Sequence, residues 1–367
     1  MKSSIPQTFV QDLLQWYQDH GRHDLPWQSP YCAYRVWVSE IMLQQTQVKT
    51  VIPYFEKFMH VFPRIEDLAN ASEESVLTLW AGLGYYRRAR MLHQTAKIIQ
   101  CDHYGKFPQE APQLRQFPGI GPSTAAAISS LAFNRPYAIF DGNVKRVLAR
   151  YHRIDAPLGS SVLERTCQQM AQASIQTTQK CREYTQAMMD LGALCCTPKK
   201  PNCTACPLQR TCSAFQNNQT DQYPRPKAKL KRATQVWTLY LLTYRHAKEE
   251  AYLHLEKRPV HGIWGGLWCP PTNTTERFKN EEFRRYLSSF PSQELPSLKH
   301  RLTHLDLELQ PRLIHVDSIE PYVDQCNWFR ISALEQLALP KPIQDLLNSI
   351  GYIRTPPMTQ PTTEQQT

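Results

Sequence analysis

The chain has 367 residues, of which 41% are hydrophobic, and carries a formal net charge of +10 at pH 7. Because this length exceeds one domain of ordinary size, we expect two domains. The basic excess suits a polyanionic partner, either nucleic acid or an anionic membrane surface, although it would also serve solubility alone. No apolar run is long enough to span a bilayer, and the N-terminus lacks a signal-peptide core. We therefore expect a soluble intracellular protein, in which clustered cysteines favour metal binding over disulfides.

The first and larger part of the chain, residues 1–216, is predicted to be mostly helical. Helical spacing of apolar residues runs through 36–59, and residues 111–133 have the pattern of helix, tight turn and helix. Residues 217–232 are polar, basic and proline-bearing, which is typical of an interdomain linker. The tail, residues 351–367, lacks apolar anchors and is predicted to be disordered.

Residues 233–350 differ in character and are predicted to form a mixed α and β domain. Residues 234–245 and 250–258 are rich in aromatic and aliphatic side chains and are predicted to be paired strands. Residues 281–290 have a helical pattern, and residues 304–317 alternate as a strand does. The expected fold class is an all-α region followed by an α+β domain.

One segment of the helical part, FPGIGPSTA at 117–125, predicts a phosphate-binding turn. Gly119 and Gly121 permit a tight turn, and the helix that begins near Pro122 presents free N–H groups that can bind phosphate. Two glycines alone would fit a turn without a ligand. The complete pattern L-x-x-F-P-G-I-G-x-x-T-A is that of the helix-hairpin-helix motif, which favours contact with DNA irrespective of its sequence.

Two carboxylates are candidates for chemistry. Glu40 has mostly apolar helical neighbours, so its carboxyl is predicted to be desolvated and held neutral, as a general acid requires, unless it merely reaches solvent. Asp141 precedes a basic helix and is predicted to cap it with one oxygen left free. An ionised Asp141 would stabilise positive charge on a sugar, and Lys145 and Arg146 are suited to phosphate. The sequence does not show whether the two carboxylates face each other.

A cysteine cluster follows, with the spacing C-x6-C-x2-C-x5-C. Four thiolates so spaced suit either tetrahedral zinc or an iron–sulfur cluster, and the single C-x2-C pair leans toward the second. Cys195 is left over and is predicted to be a packing residue at a helix end. Basic residues in the enclosed loops, Lys199, Lys200 and Arg210, suggest a surface held against phosphates. The four spaced cysteines are Cys196, Cys203, Cys206 and Cys212.

Together these features resemble the adenine DNA glycosylases of the MutY type, within the helix-hairpin-helix glycosylase superfamily. The resemblance covers about residues 9–345 and rests on LPWQ, VWVSEIMLQQTQVKTVIPYF, LWAGLGYYRRAR, FPGIGPSTA, DGNVKRVLAR, QAMMDLGALCC and the cysteine spacing. It implies removal of adenine opposite 8-oxoguanine, and also opposite guanine, after the base is flipped out of double-stranded DNA. It further implies one [4Fe–4S] cluster on the four spaced cysteines, and a monomer in the cytoplasm that associates with the nucleoid and no membrane.

The resemblance also implies residue roles. Glu40 is similar in position to the acid that protonates N7 of adenine, and Asp141 to the carboxylate that stabilises an oxocarbenium ion. Residues at positions that contact substrate or DNA in the family are Arg22, Trp27, Leu43 and Gln186 for the adenine pocket, Gln45 and Tyr85 for insertion into the duplex, Thr46 and Leu83 near 8-oxoguanine, Gly119, Gly121 and Ser123 in the hairpin, Lys145 beyond Asp141, and Thr303 and His304 in the second domain.

Two departures qualify what the resemblance implies. Ser123 stands where relatives that also cut the strand have lysine, and an alcohol cannot form their imine, so we expect no efficient lyase activity. The second domain resembles a Nudix-like domain, but its lesion-reading loop has Leu302 before Thr303 and His304 where the family has an aromatic residue.

Two other functions are compatible with parts of the sequence. A catalytically silent damage-binding protein would use the same basic surface and hairpin, but it would not need both carboxylates. A nucleotide hydrolase would act through the second domain, but residues 276–287 lack the R-E-x-x-E-E register that holds magnesium.

Overall fold

The computed structural model describes residues 7–226, 232–245, 250–275, 278, 280–302, 305–317 and 327–353. It divides into two compact units, one of residues 1–71 with 88–229 and one of residues 72–87 with 230–367. The domain boundaries drawn from sequence remain a prediction. Residues 72–87, which were predicted to belong to the helical part, group here with the C-terminal unit. Three predicted features lie outside the described residues: the predicted lesion-reading pair Thr303 and His304, the basic end of the predicted linker (227–231) and most of the predicted disordered tail (354–367).

Helices make up most of the first unit and a minor part of the second. In chain order they are α1 (Gln7–His20), α2 (Ala33–Leu43), α3 (Val48–Val61), α4 (Ile65–Asn70), α5 (Glu73–Trp80), α6 (Tyr86–His103), α7 (Ala111–Leu114), α8 (Pro122–Phe133), α9 (Gly142–Tyr151), α10 (Ser161–Ile175), α11 (Cys181–Asp190), α12 (Ser213–Gln216), α13 (Glu281–Ser288) and α14 (Lys341–Ser349). No helix in the described ranges is both long and apolar enough to cross a bilayer.

The helical run predicted over 36–59 is two helices and not one. It breaks between Leu43 and Val48, where the polar sequence Gln-Gln-Thr-Gln offers no apolar face to bury. Gln45 adopts a left-handed backbone with φ of 58°, and the N–H of Thr46 donates to the carbonyl of Leu43 at 3.2 Å. This turn ends α2 directly after Glu40 and Leu43.

Helix α8 is the centre of the first unit. Most of its residues are buried, and it packs against α2, α7 and α11. A helix that is apolar all round must lie inside a protein, and the run Ala125–Ala126–Ala127 is small enough for neighbouring backbones to approach closely. The predicted hairpin leads directly into α8, so this buried helix holds the hairpin in a fixed position.

The second unit contains the strands that the structure describes. They are β1 (Ala233–Arg245), β2 (Ala251–His254), β3 (Glu256–Lys257), β4 (Trp268–Cys269), β5 (Ser292–Glu294), β6 (Leu298–Arg301), β7 (Leu305–Val316) and β8 (Trp328–Arg330). The main sheet has the order β5-β7-β1-β2-β8, with β6 also paired to β7. The predicted pairing of β1 with β2 is confirmed and is antiparallel, with Thr243 opposite Leu253.

Packing on this sheet confirms the mixed α and β class. Strands β1 and β7 run parallel over their full length, a pairing that sequence alone did not suggest. Helix α13 inserts Phe283 and Leu287 into an apolar cluster with Leu242, Ile314 and Val316. Phe283 and Leu287 of α13 therefore pack against the sheet and form part of its core.

Candidate active site

The first candidate residue, Glu40, lies on the last turns of α2. The helical neighbours Val36 and Trp37 are almost fully buried. Burial and, to a lesser extent, repulsion from Asp141 together raise the pKa of Glu40 to about 8. No hydrogen bond or cation among the described residues offsets these two effects. The desolvated carboxyl predicted from sequence is confirmed, and Asp141 is close enough to act on it electrostatically.

The second candidate, Asp141, is the N-cap of α9, as predicted. Its Oδ1 accepts the backbone N–H of Val144 at 2.8 Å. The prediction that its other oxygen is free is wrong, because Asn143 Nδ2 donates to Oδ2 at 3.2 Å. Burial raises the pKa of Asp141, while the N–H donors of Val144 and Asn143 and the charge of Arg146 act against that rise. These donors hold the carboxylate in one orientation.

The support of Asp141 continues into the cysteine loop. Arg146 Nη2 donates to Asn143 Oδ1 at 2.8 Å and to the carbonyl of Gly192 at 2.6 Å. Its Nε donates to the carbonyl of Cys196 at 2.8 Å. Arg146, suggested from sequence as a phosphate ligand, is therefore engaged inside the protein.

Lys145, the neighbouring cation, also has protein partners. Its Nζ lies 2.5 Å from a carboxylate oxygen of Glu164 and 4.4 Å from the centre of the Phe140 ring. Binding of Lys145 to a DNA phosphate stays a prediction, and it would require exchange with Glu164.

A buried carboxylate gathers two of the predicted pocket residues. Asp190 has no solvent exposure, and its Oδ1 accepts from Arg22 Nε at 2.9 Å, from Arg22 Nη2 at 2.5 Å and from Gln186 Nε2 at 2.9 Å. Asp190 was not predicted from the sequence, although an acidic residue four positions after Gln186 on an amphipathic helix was the available signal. Of the other predicted pocket residues, Trp27 packs its ring edge-on against Phe55.

Two residues, Gln45 and Tyr85, are predicted to enter the duplex, and each has a strained backbone conformation. Their φ angles are 58° and 50°, in the left-handed region that favours glycine. Such strain costs roughly 1–3 kcal/mol at each position and is common at functional sites. Each lies in a different compact unit, and Tyr85 is 47% exposed. Near them in sequence, Thr46 is half-buried and Leu83 is buried.

The predicted hairpin precedes α8 with the expected turn. Gly119 has φ of 77°, and a Cβ there would lie 2.7 Å from Cβ of Met91, so glycine is required. Gly121 is the N-cap of α8 and has open space around its Cα. Ser123 Oγ accepts the backbone N–H of Phe140 at 3.2 Å, which ties the hairpin helix to the residue before Asp141.

The four spaced cysteines line a single cavity, which Cys195 also lines. Nowhere in the described ranges do three or more His, Cys, Asp or Glu side chains converge tightly enough for one metal ion. Four thiols around one cavity are the donor set of an iron–sulfur cluster, and zinc accepts the same ligands. Burial raises the pKa of Cys196, and buried Arg150, which donates from Nη1 to Cys196 Sγ at 3.3 Å, acts against that rise.

Cys195 is buried, as predicted for a packing residue. It is the last residue of a π-helical turn, Leu191–Cys195, and its thiol donates to the carbonyl of Asn202 at 3.1 Å. This bond joins the two sides of the loop that holds the other cysteines.

Comparison with known proteins supports two family assignments. A family model described as HhH-GPD superfamily base excision DNA repair protein matches residues 38–173. A model described as NUDIX domain matches residues 240–349. The solved structure of a thermostable thymine-DNA glycosylase superposes with a TM-score of 0.51 and 26% identity, over 57% of this chain and 97% of that one.

Curated relatives match over nearly the whole chain. The adenine DNA glycosylase of Buchnera aphidicola subsp. Baizongia pistaciae is 37% identical over 352 residues, which are 95% of this chain and 98% of the relative. The adenine DNA glycosylase of Mus musculus is 32% identical over 366 residues, covering 84% of this chain and 71% of the relative.

The raised pKa of Glu40 predicts how stability depends on pH. Because the pKa lies near 8 in the folded state and near 4.5 in the unfolded state, folding favours the protonated form. Stability relative to Glu40→Gln should therefore fall as the pH rises from about 4.5 to about 8, by several kcal/mol at roughly 1.4 kcal/mol per pKa unit. Urea unfolding across this pH range measures it, with Glu56→Gln, an exposed glutamate on α3, as control. Identical pH profiles for the wild type and Glu40→Gln would contradict the burial.

Gly192 is predicted to be essential for the support of Asp141. A Cβ at position 192 would lie 2.5 Å from Cβ of Asn143, so Gly192→Ala should displace Asn143 and its bond to Asp141. We expect a loss of about 1–3 kcal/mol in the free energy of unfolding, as for overpacking in general. Gly142→Ala is the matched control, because a Cβ there meets open space. Equal stability of the two variants would show that Asn143 yields without cost.

Proposed function

Because this chain belongs to the adenine DNA glycosylases, enzymes of base excision repair, we propose that it hydrolyses the N-glycosidic bond of adenine mispaired with 8-oxoguanine, and also with guanine. The observation that carries this proposal is the pair of carboxyl groups, one with a pKa near 8 and one held by N–H donors. Glycosidic cleavage needs one carboxyl as acid and another to stabilise positive charge on the sugar.

The two environments support different roles for the two carboxyls. At neutral pH Glu40 is largely protonated and can donate its proton to N7 of a flipped adenine, which makes the base a better leaving group. Asp141 accepts hydrogen bonds from Val144 and Asn143, and such bonds favour the charged form of a carboxyl. As the glycosidic bond breaks, the Asp141 carboxylate stabilises the oxocarbenium-like sugar until water adds.

Positioning of the target base falls to the predicted pocket and hairpin. Arg22 and Gln186 share Asp190 as a hydrogen-bond partner, so the three form one preorganised polar group that is suited to the adenine edge. The hairpin, with Gly119, Gly121 and Ser123, binds backbone phosphate. Gln45 and Tyr85 insert into the duplex, Trp27 and Leu43 contact the base, and Thr46 and Leu83 lie against the opposite 8-oxoguanine. Thr303 and His304 read that base from the second domain.

Ser123 supports a monofunctional enzyme. Its hydroxyl cannot form an imine with the abasic sugar, and it already accepts a hydrogen bond from the N–H of Phe140. The product is therefore an abasic site in an unbroken strand.

The cysteine loop is proposed to hold one [4Fe–4S] cluster on Cys196, Cys203, Cys206 and Cys212. When bound, the cluster supplies a covalent cross-link of the loop. The loop then presents Lys199, Lys200 and Arg210 to phosphate, while the carboxyls carry the chemistry. We expect the protein to be a monomer that lies in the cytoplasm and associates with the nucleoid.

A glycosylase assay tests the proposed reaction. Wild type should convert duplex with adenine opposite 8-oxoguanine or guanine into an abasic product that breaks only after alkali. Glu40→Gln should lower the single-turnover rate by at least about 10²-fold, the usual contribution of a general acid. Adenine opposite thymine is the control duplex. Tight binding without base release would indicate a damage-binding protein, and a wild-type rate in Glu40→Gln would remove this residue from the mechanism.

Two cysteine substitutions test the cluster. Cys203→Ser removes a proposed ligand and should lower the iron and sulfide content, the visible absorbance and the affinity for DNA. Cys195→Ser changes a thiol on the same cavity that is not a proposed ligand, so the protein should keep its colour and iron. Full iron content in Cys203→Ser, or a colourless wild type purified without oxygen, would contradict the ligand assignment.

A further inference from the structure

Arg88 lies near the start of α6, and its guanidinium contacts the end of α2. The Nη1 nitrogen lies 2.7 Å from the carbonyl oxygen of Ile41, 3.1 Å from that of Met42 and 2.7 Å from that of Gln44. Carbonyls in the last turn of a helix have no partner within the helix, and they carry the negative end of its dipole. A part-buried guanidinium at this place satisfies and neutralises them.

The helix end that Arg88 contacts holds the densest set of proposed functional residues. Glu40 and Leu43 precede its end, and Gln45 and Thr46 follow it. The turn is strained, since Gln45 has φ of 58°, and Thr46 bonds back to α2 through its N–H at 3.2 Å. A left-handed residue keeps its conformation only where its surroundings hold it.

A second contact ties this turn to the hairpin helix. Gln44 Nε2 donates to Thr124 Oγ1, on α8, at 3.4 Å, while the carbonyl of the same Gln44 accepts from Arg88. Arg88 thus fixes one side of the turn and α8 the other, and Gln45 projects from between them with an exposed side chain.

We propose that Arg88 is a positioning residue for base flipping: it holds the carbonyl end of α2 so that Gln45 enters the duplex while Glu40 meets the extruded base. This rests on the proposed function. All three contacts are to one nitrogen, Nη1, whose two N–H groups are shared among the carbonyls, and the guanidinium stays charged at any working pH. A phosphate contact is disfavoured, because the donors that face α2 are occupied by its carbonyls.

Base flipping can be measured separately from catalysis. A duplex with 2-aminopurine beside the target adenine fluoresces more when the stack opens, and the Glu40→Gln background prevents base release during the measurement. Arg88→Gln in this background should lower the fluorescence rise, and in the native background it should slow the single-turnover rate at saturating enzyme by about 10- to 100-fold. The pH midpoint of the rate should not move, because the pKa of Glu40 depends on burial and on Asp141.

A double-mutant cycle shows whether Arg88 acts through Gln45. If it does, Arg88→Gln and Gln45→Ala together should reduce flipping little more than Gln45→Ala alone. Additive effects would overturn the proposal. Arg87→Gln removes the same charge from an exposed position on the same helix and should lower affinity only, in a salt-dependent way.

Arg88→Lys keeps the charge and should restore part of the flipping; it also serves if Arg88→Gln fails to fold. A normal rate at saturating enzyme with a salt slope reduced by about one would show that Arg88 binds phosphate and would overturn the proposal. If wild type opens the stack but releases no adenine, the proposed reaction fails while the role of Arg88 stands. Loss of the flipping signal in Arg88→Gln with adenine release intact would also overturn the proposal, because release would then not depend on the flipping that Arg88 supports.

Discussion

The electrostatic proximity of Glu40 and Asp141 is the constraint on which the site depends. Two desolvated carboxyl groups repel when both are charged, so one of them stays protonated. Burial raises the pKa of both, but Asp141 has N–H donors that favour its charged form, so the protonated one is Glu40. Such an arrangement is unfavourable for folding and persists only in a rigid frame. Helix α8 provides that frame, because it packs against α2, which carries Glu40, and Ser123 at its start bonds the backbone just before Asp141.

A continuous set of hydrogen bonds joins the Asp141 carboxylate to the cysteine loop. Asn143 bonds one oxygen of Asp141, Arg146 bonds Asn143, and the same guanidinium bonds the carbonyls of Gly192 and Cys196. The cysteine loop and helix α9 are therefore supported by the same cation. A group that cross-links the loop would stiffen the far side of this support without taking part in bond cleavage.

The structure places strain where the proposed function needs projecting side chains. Gln45 and Tyr85 both adopt left-handed backbones. Before Tyr85, Trp80 Nε1 donates to the carbonyl of Gly84 at 3.2 Å. For Gln45 the holding groups are Arg88 and Thr124, which bond the residue before it from two directions. Rigid support of a few exposed residues is a general way to present side chains to a duplex without losing conformational entropy on binding.

Local features of this protein were determined by its sequence. The hairpin glycines, the cap at Asp141, the strand pairing of β1 with β2 and the apolar surroundings of Glu40 all depend on residues within a few positions of each other, where periodicity, turn chemistry and capping rules apply. Only the tertiary structure brought Glu40 close to Asp141, turned Arg146 inward and gathered Arg22 on Asp190. These contacts join segments far apart in the chain, and their geometry follows from the packing of whole helices around α8, which no local pattern encodes.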